Sequence, residues 1–373
     1  MSKRYYPLWN DVTAFSNLLC AFRQAARGKR DRPAVVAFTL DLEEELLRLQ
    51  AELRDGSYRP GAYVSFLIHE PKRRLISAAP FRDRVVHHGL VNVIEPLFER
   101  QFIFDTYANR VGKGTHRALD RCTHFMRRFA FVLPVDVRQF FPSIDHAILE
   151  EILGRTLTDA RVMDLSGQII ASGAGVQADE YEMVYFPGDD LFAVQRPRGL
   201  PIGNLTSQFW ANVYLNGLDH FIKRELKCRG YVRYVDDLLL FADDKPTLHA
   251  WRKAVVAYLA GLRLTIHAES AQPRPGRVGL PFLGFQVFPD HRRLKRRNVV
   301  KARRRLETLS ESYARGEAPL ERVDASVQSW ISHVNHGDTW GLRRALLRDF
   351  CLTKGSHERI PSERHIADLQ QEL

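Results

Sequence analysis

Apolar positions recur along this chain with two periods. In LDLEEELLRLQAELRDGSY, Leu42, Leu46, Leu49 and Leu53 return at helical spacing, Leu47 widens the stripe, and DGS stops it. Residues 8–30 and 40–54 thus predict helices. YVSFLIHEPKRRLISAA alternates and contains a proline, which predicts a strand pair about a turn. FRDRVVHHGLVNVIEPLFERQF returns to the helical period. FAFVLPVDVRQFFPSI reads as a buried strand broken at FPS, followed by an amphipathic helix starting near Ser143 or Asp145. NLTSQFWANVYLNGLDHFIKRELK and HAWRKAVVAYLAGLRL predict helices, YVRYVDDLLLFAD two short strands around an acidic turn, and GLPFLGFQVF a further strand pair. From about residue 297 onward the pattern is helical.

Residues 166–198 are rich in Gly and acids and lack a steady period, so they read as an inserted hairpin or loop. This mixture of segments predicts an α+β catalytic lobe with a helical C-terminal appendage. No apolar run approaches the roughly 20 residues of a membrane span, and the charged N-terminus lacks the apolar stretch of a signal peptide, so no membrane association and a cytoplasmic protein are expected. The cysteines, Cys20, Cys122, Cys228 and Cys351, are far apart without metal-binding spacing, and read as free thiols, mostly in the core.

Charge narrows the function. The net charge is +11, and HRRLKRRNVVKARRRL, residues 291–306, holds nine Lys or Arg. Such a run repels itself without a polyanion, nucleic acid first. Against this background GYVRYVDDLLLFADD sets Asp236 and Asp237 directly before Leu238 to Phe241. Two ionised carboxylates in an apolar run are costly unless a cation joins them, and hard oxygen ligands suit a divalent metal. Asp136, in LPVDVRQFFPSID, also ends a buried apolar strand. Two strands lying side by side would bring it against Asp236.

These residues carry a resemblance. YVDD between apolar strands resembles the signature of reverse transcriptases; VLPVDVRQFFPSID resembles their first catalytic motif and RGLPIGNLTSQFWANVYLNGLDHF their second. LPFLGF is similar to their primer-gripping hairpin. FLIHEPKRRLIS and TYANRVGKGTHRAL resemble fingers motifs of bacterial enzymes related to group II introns. The resemblance implies a right-hand polymerase: fingers with N-terminal helices over residues 1–130, a palm over 131–288 with the insertion 166–198, and a helical basic thumb over 289–373. It implies RNA-directed DNA synthesis from dNTPs on a primer, with two Mg²⁺ ions at Asp136, Asp236 and Asp237 and with Val137 among the metal-binding positions. Phe141 would stack under the incoming sugar and exclude a 2′-hydroxyl, leaving Phe140 to the core. Lys72 and Arg74 would clamp the triphosphate, beside Ile202 and Gly203. Arg110, Lys113, Gln208, Phe282, Leu283 and Gly284, with Arg296, Arg297, Lys301 and Arg304 of the thumb, would contact template, primer or RNA/DNA duplex. Trp330 and Trp340 read as thumb core.

The second motif has Ile202 where group II intron enzymes carry glutamine, and Gln208 after Ser207. That variant resembles reverse transcriptases of diversity-generating retroelements, which implies error-prone cDNA synthesis, a structured non-coding RNA and a small basic helical accessory protein; the insertion could dock such a partner or another subunit. An antiphage defence reverse transcriptase acting with a non-coding RNA is the alternative. No maturase, endonuclease or zinc segment follows the thumb, so intron splicing and mobility are not expected.

Overall fold

The computed structural model describes residues 7–69, 73–348 and 350–353. The chain divides into two compact units, Met1–Gly276 and Arg277–Leu373.

The first unit opens with α1 (Trp9–Val12), α2 (Phe15–Ala25), α3 (Pro33–Leu40) and α4 (Leu42–Asp55). The helix expected over residues 8–30 is interrupted early: the Thr13 hydroxyl donates to the Trp9 carbonyl and Ala14 is extended, the local competition with helix that Ser and Thr offer. In α4, Leu46, Leu49 and Leu53 are buried, but Leu47 is 48% exposed. The apolar stripe is one residue narrower than its sequence suggests, because among the described residues nothing covers the Leu47 side. Gly56, left-handed at φ 78°, ends the helix.

Next come the antiparallel hairpin β1 (Val64–Ile68) and β2 (Arg74–Ala78), then α5 (Phe81–Glu99) and α6 (Thr115–Arg128). β3 (Phe131–Arg138) leads through α7 (Phe140–Ser143) to α8 (His146–Gly154), whose first turn is capped by Asp145 accepting from the Ile148 amide. α9 (Ala160–Ser172) corrects the sequence reading of the insertion: residues 166–172 are helix, with Ile169 and Ile170 buried and the Ser166 hydroxyl returned to the Val162 carbonyl. Within 166–198, only residues 173–198 lack α-helix and strand. α10 (Leu205–Arg224), β4 (Gly230–Tyr234), β5 (Asp237–Ala242), α11 (Lys245–Gly261), β6 (Thr265–Ile266) and β7 (Arg274–Pro275) complete the unit.

Its sheet runs β4-β5-β3-β6, with β7 also on β3, and every pairing is antiparallel. β3 is central and apolar on both faces because helices cover it: α11 packs on β3 and β5, and α6 on β4 and β5. One hydrophobic cluster joins β3, β4, β5 and α11 to the N-terminal helices.

The second unit holds β8 (Leu280–Phe282), β9 (Phe285–Val287) and β10 (Arg292–Leu294), in the order β10-β9-β8, then α12 (Arg296–Ala314), α13 (Leu320–Val334) and α14 (Trp340–Arg348). α12 buries only Ala302 and Leu306. Trp340 is 68% exposed, not thumb core, because α14 buries no residue fully; Trp330 is half-buried. Cys122 and Cys228 are buried, whereas Cys20 and Cys351 are exposed, so only half of the thiols are in the core. Among the described residues no helix is long and apolar enough to cross a membrane.

Candidate active site

The two acidic strands meet. In the β3–β5 ladder Asp136 stands opposite Asp237, and the Val137 amide donates to the Asp236 carbonyl at 3.3 Å. Directly opposed residues of an antiparallel pair share a face, with Cβ atoms about 4.5–5.5 Å apart. The register therefore corrects one expectation: Asp237, not Asp236, faces Asp136 across the strands, while Asp236 occupies the β4–β5 turn. All three acids are half-buried.

That turn is strained. Tyr234 pairs with Asp237, leaving Val235 and Asp236 as a two-residue loop with Val235 at φ 57°. A β-branched residue there costs on the order of 1–3 kcal/mol and persists only where the surroundings over-determine it. The surroundings are a buried polar network that the sequence reading missed. Arg233, fully buried, donates to the Val235 carbonyl at 3.1 Å, to Asn212 Oδ1 at 3.1 Å, and through two nitrogens to Asp219 at 2.8 and 2.6 Å. Tyr231 donates its hydroxyl to the same carboxylate at 2.7 Å, and burial, followed by the Asp219 charge, pushes its phenol well above the ordinary range. The available signal was one charge inside each apolar run, Arg233 in GYVRYV and Asp219 in LNGLDHFI.

A loop joins the other expected residues. The Leu200 amide donates to the Phe141 carbonyl at 2.9 Å and the Gly199 amide to Ile144 at 2.8 Å. Two residues after Leu200, the Ser77 amide of β2 donates to the Ile202 carbonyl at 2.9 Å, and the Asn204 side chain bonds both Ser77 and Ala79. Gly203 sits at φ 113°, and a Cβ there would lie 2.9 Å from Ile76. One segment thus ties the β1–β2 hairpin to the turn after Asp136, placing Ile202, Gly203, Phe141 and the strand bearing Arg74 in one neighbourhood. Phe140 is core at 2% exposure and Phe141 is half-buried. Arg74 is exposed, Gln208 is half-buried in the first turns of α10, and Lys72 lies outside the described residues.

Other expected contacts fall differently. Arg110 is committed internally: its guanidinium clasps Glu99 and donates to the Ile103 and Thr106 carbonyls, with its side chain 6% exposed. No fork is left for a phosphate. Lys113 lies 3.4 Å over the Phe104 ring and donates to the Phe104 carbonyl; burial, then Arg110, lower its pKa. In the second unit Leu283 and Gly284, at φ 44° and 91°, form a two-residue β8–β9 turn with the sign pattern of type I′. Phe282 is 3% exposed and belongs to the hairpin's core, so it does not offer a primer contact. Arg296, Arg297, Lys301 and Arg304 all lie on exposed positions of α12.

Among the described residues no group of three or more His, Cys, Asp or Glu is gathered as a ready-made cation site. The donor chemistry still fits Mg²⁺, which is commonly held by one or two carboxylates completed by substrate phosphates and water; Asp136 and Asp237 would provide that pair.

Comparison with known proteins agrees. The family described as "Reverse transcriptase (RNA-dependent DNA polymerase)" matches residues 68–287. "Protein YkfC" of Escherichia coli (strain K12) is 24% identical over 319 residues, covering 74% of this chain and 78% of that protein. "Group II intron-encoded protein LtrA" of Lactococcus lactis subsp. cremoris is 22% identical over 183 residues, 48% of this chain and 28% of its own length. An uncharacterized 91 kDa protein in the cob intron of Schizosaccharomyces pombe (strain 972 / ATCC 24843) is 28% identical over 153 residues, 41% of this chain and 17% of its own. The family match takes in β3 with Asp136, the Ile202 loop and the acidic turn, and the chain belongs to the reverse transcriptase family of right-hand RNA-dependent DNA polymerases.

Proposed function

We propose that this chain extends a primer with dNTPs on an RNA template, and that its product is error-prone cDNA of a diversity-generating retroelement, made in the cytoplasm with a structured RNA and a small basic helical protein as partners. On this reading residues 1–130 are fingers, 131–288 palm and 289–373 thumb. The observation that carries the polymerase reading is the register that opposes Asp136 to Asp237 at the end of an otherwise apolar ladder.

Asp136, Asp237 and the adjacent Asp236 would hold Mg²⁺, which when bound stabilises the attacking and leaving oxygens of phosphoryl transfer. The chain's own contributions are positional. The Arg233 network fixes the acidic turn. Phe141 forms a wall against the sugar, and the bond from Leu200 to its carbonyl holds that wall in register. Arg74 supplies an exposed cation for the triphosphate. Ile202, where a glutamine could hydrogen-bond near the nascent base pair, offers only an apolar surface, which supports loose base selection.

The test is primer extension on an RNA template with Mg²⁺. Parent protein should yield cDNA, and Asp136→Asn and Asp236→Ala should each abolish it while leaving the urea midpoint in place. Extension that survives either substitution sinks the assignment.

A further inference from the structure

The segment 173–195 carries five acids, Asp179, Glu180, Glu182, Asp189 and Asp190, and no Lys or Arg, in a chain of net charge +11. It lies against the strand end that bears Asp136. Glu182 pairs with Arg138, and its backbone amide donates to Gln139 Oε1 at 3.1 Å. Tyr181 stacks under the Arg198 guanidinium at 4.2 Å. Arg138 is two residues from Asp136 in one strand, so both side chains project from the same face. Gln139 and Phe141 follow at once.

The two ends of this segment are held unequally. At residues 186–190, Asp189 is clasped by Arg263 through two nitrogens at 2.6 and 2.7 Å and also accepts from the Phe186 amide. Its side chain is 8% exposed and that of Arg263 17%. At the Glu182 end the pair is open, 37% exposed for Arg138 and 66% for Glu182. Pairs that exposed contribute little, whereas the clasped end has the geometry of a persistent bidentate contact.

We propose that Arg138 is a phosphate-binding residue of the polymerase site, and that Glu182 occupies it in the free protein as an anionic stand-in which substrate phosphate displaces. Resting on the polymerase reading, this takes the competing anion to be a phosphate of either the nucleoside triphosphate or the template–primer backbone. Displacement exchanges one anion for another at Arg138 and requires the Glu182 amide to leave Gln139, while the Asp189 end stays anchored.

Two substitutions in the full chain separate the possibilities. Glu182→Gln keeps the shape and removes the competing charge; Arg138→Gln removes the phosphate contact. Equilibrium binding of a fluorescent dNTP and of an RNA/DNA duplex is read for each, so the result stands whether or not a primer is extended. Glu182→Gln should tighten one of the two ligands roughly two- to fivefold, the range for an exposed pair. Arg138→Gln should weaken the same ligand by on the order of tenfold, as loss of a charge-assisted contact does, and the double variant should match Arg138→Gln alone. A change confined to the dNTP identifies the triphosphate, and one confined to the duplex identifies the backbone. Affinities within twofold of the parent for both ligands, or weakening by both substitutions, overturn the proposal; Arg138→Lys, which keeps the charge, guards against misfolding by recovering most of the affinity.

Discussion

At the residue scale, Ile202 and Gly203 divide between them the tasks of one loop. The Ile202 carbonyl is engaged by Ser77, so only its half-buried side chain is left to meet a base pair. Ile202→Gln should lower misincorporation opposite adenine about fivefold, the equivalent of one hydrogen bond near 1 kcal/mol, read by sequencing cDNA copied from a defined RNA. Gly203 answers to backbone geometry, since φ 113° and the 2.9 Å approach to Ile76 exclude any side chain. Gly203→Ala should raise KM for dNTPs while the duplex Kd stays put, because the loop's tie to β2 loosens and α12 is untouched. His87 shows the same logic in the core. It is fully buried, and burial, then His88 and Arg84, pull its pKa down to about 3. Its unfolded value is 6.5, so between those values the unfolded chain binds a proton that the folded chain refuses. The stability associated with neutral His87 is therefore intact above pH 6.5 and falls as pH drops below it, by up to about 1.4 kcal/mol per unit. Urea titrations from pH 7 to 5 should show that extra slope in the parent and not in His87→Leu.

At the element scale, the acidic hairpin depends on α10. Asp219 and Asn212 project from that helix to hold Arg233, and Arg233 holds the carbonyl of strained Val235. Breaking a fully buried ion pair from one side costs about 3–5 kcal/mol, whereas replacing both partners with apolar groups is often neutral. Asp219→Leu or Arg233→Met alone should lower the urea midpoint sharply. The double variant should recover stability yet remain defective in extension, since nothing then restrains Val235; recovery of both would reduce the network to a packing role. The elements themselves were legible because each imposes a period: Leu46, Leu49 and Leu53 announce α4, and the apolar run with terminal acids announces β5. What was not legible depended on partners from elsewhere in the chain. Leu47 and Trp340 sit on helices, yet among the described residues both stay largely exposed. Phe282 looked available because a hairpin's inner face cannot be told from its outer one over three residues. Arg110 looked free because Glu99, which occupies it, lies at the end of α5 while Arg110 lies in the loop that follows. The acids of the candidate site were readable for the opposite reason, since carboxylates set directly against apolar strands have few explanations, but which of the adjacent pair faces Asp136 is a matter of register that composition does not encode.

At the scale of the whole molecule, an excess of eleven positive charges has to be reconciled with a site built from carboxylates. Both units carry more Lys and Arg than Asp and Glu, so the contrast is local. The carboxylates and the acidic strap belong to the unit ending at Gly276, while the densest basic run falls in the unit after it. Because α12 buries only Ala302 and Leu306, its cations stay at the surface, and a backbone-tracking role would make binding depend on salt rather than sequence. Each phosphate contact releases a counterion, so the logarithm of duplex affinity should fall linearly with the logarithm of salt concentration. Arg296→Gln and Arg304→Gln should each reduce that slope by about 0.7–0.9. Because these side chains are exposed, thermal stability should move by no more than about 0.5 kcal/mol. The loss of affinity should be the same for unrelated duplex sequences, and misincorporation should not change, because the proposed function assigns fidelity to Ile202 and its loop. A slope that stays constant in both variants would mean that α12 does not follow the duplex, and the positive charge of this protein would then need another polyanion to explain it.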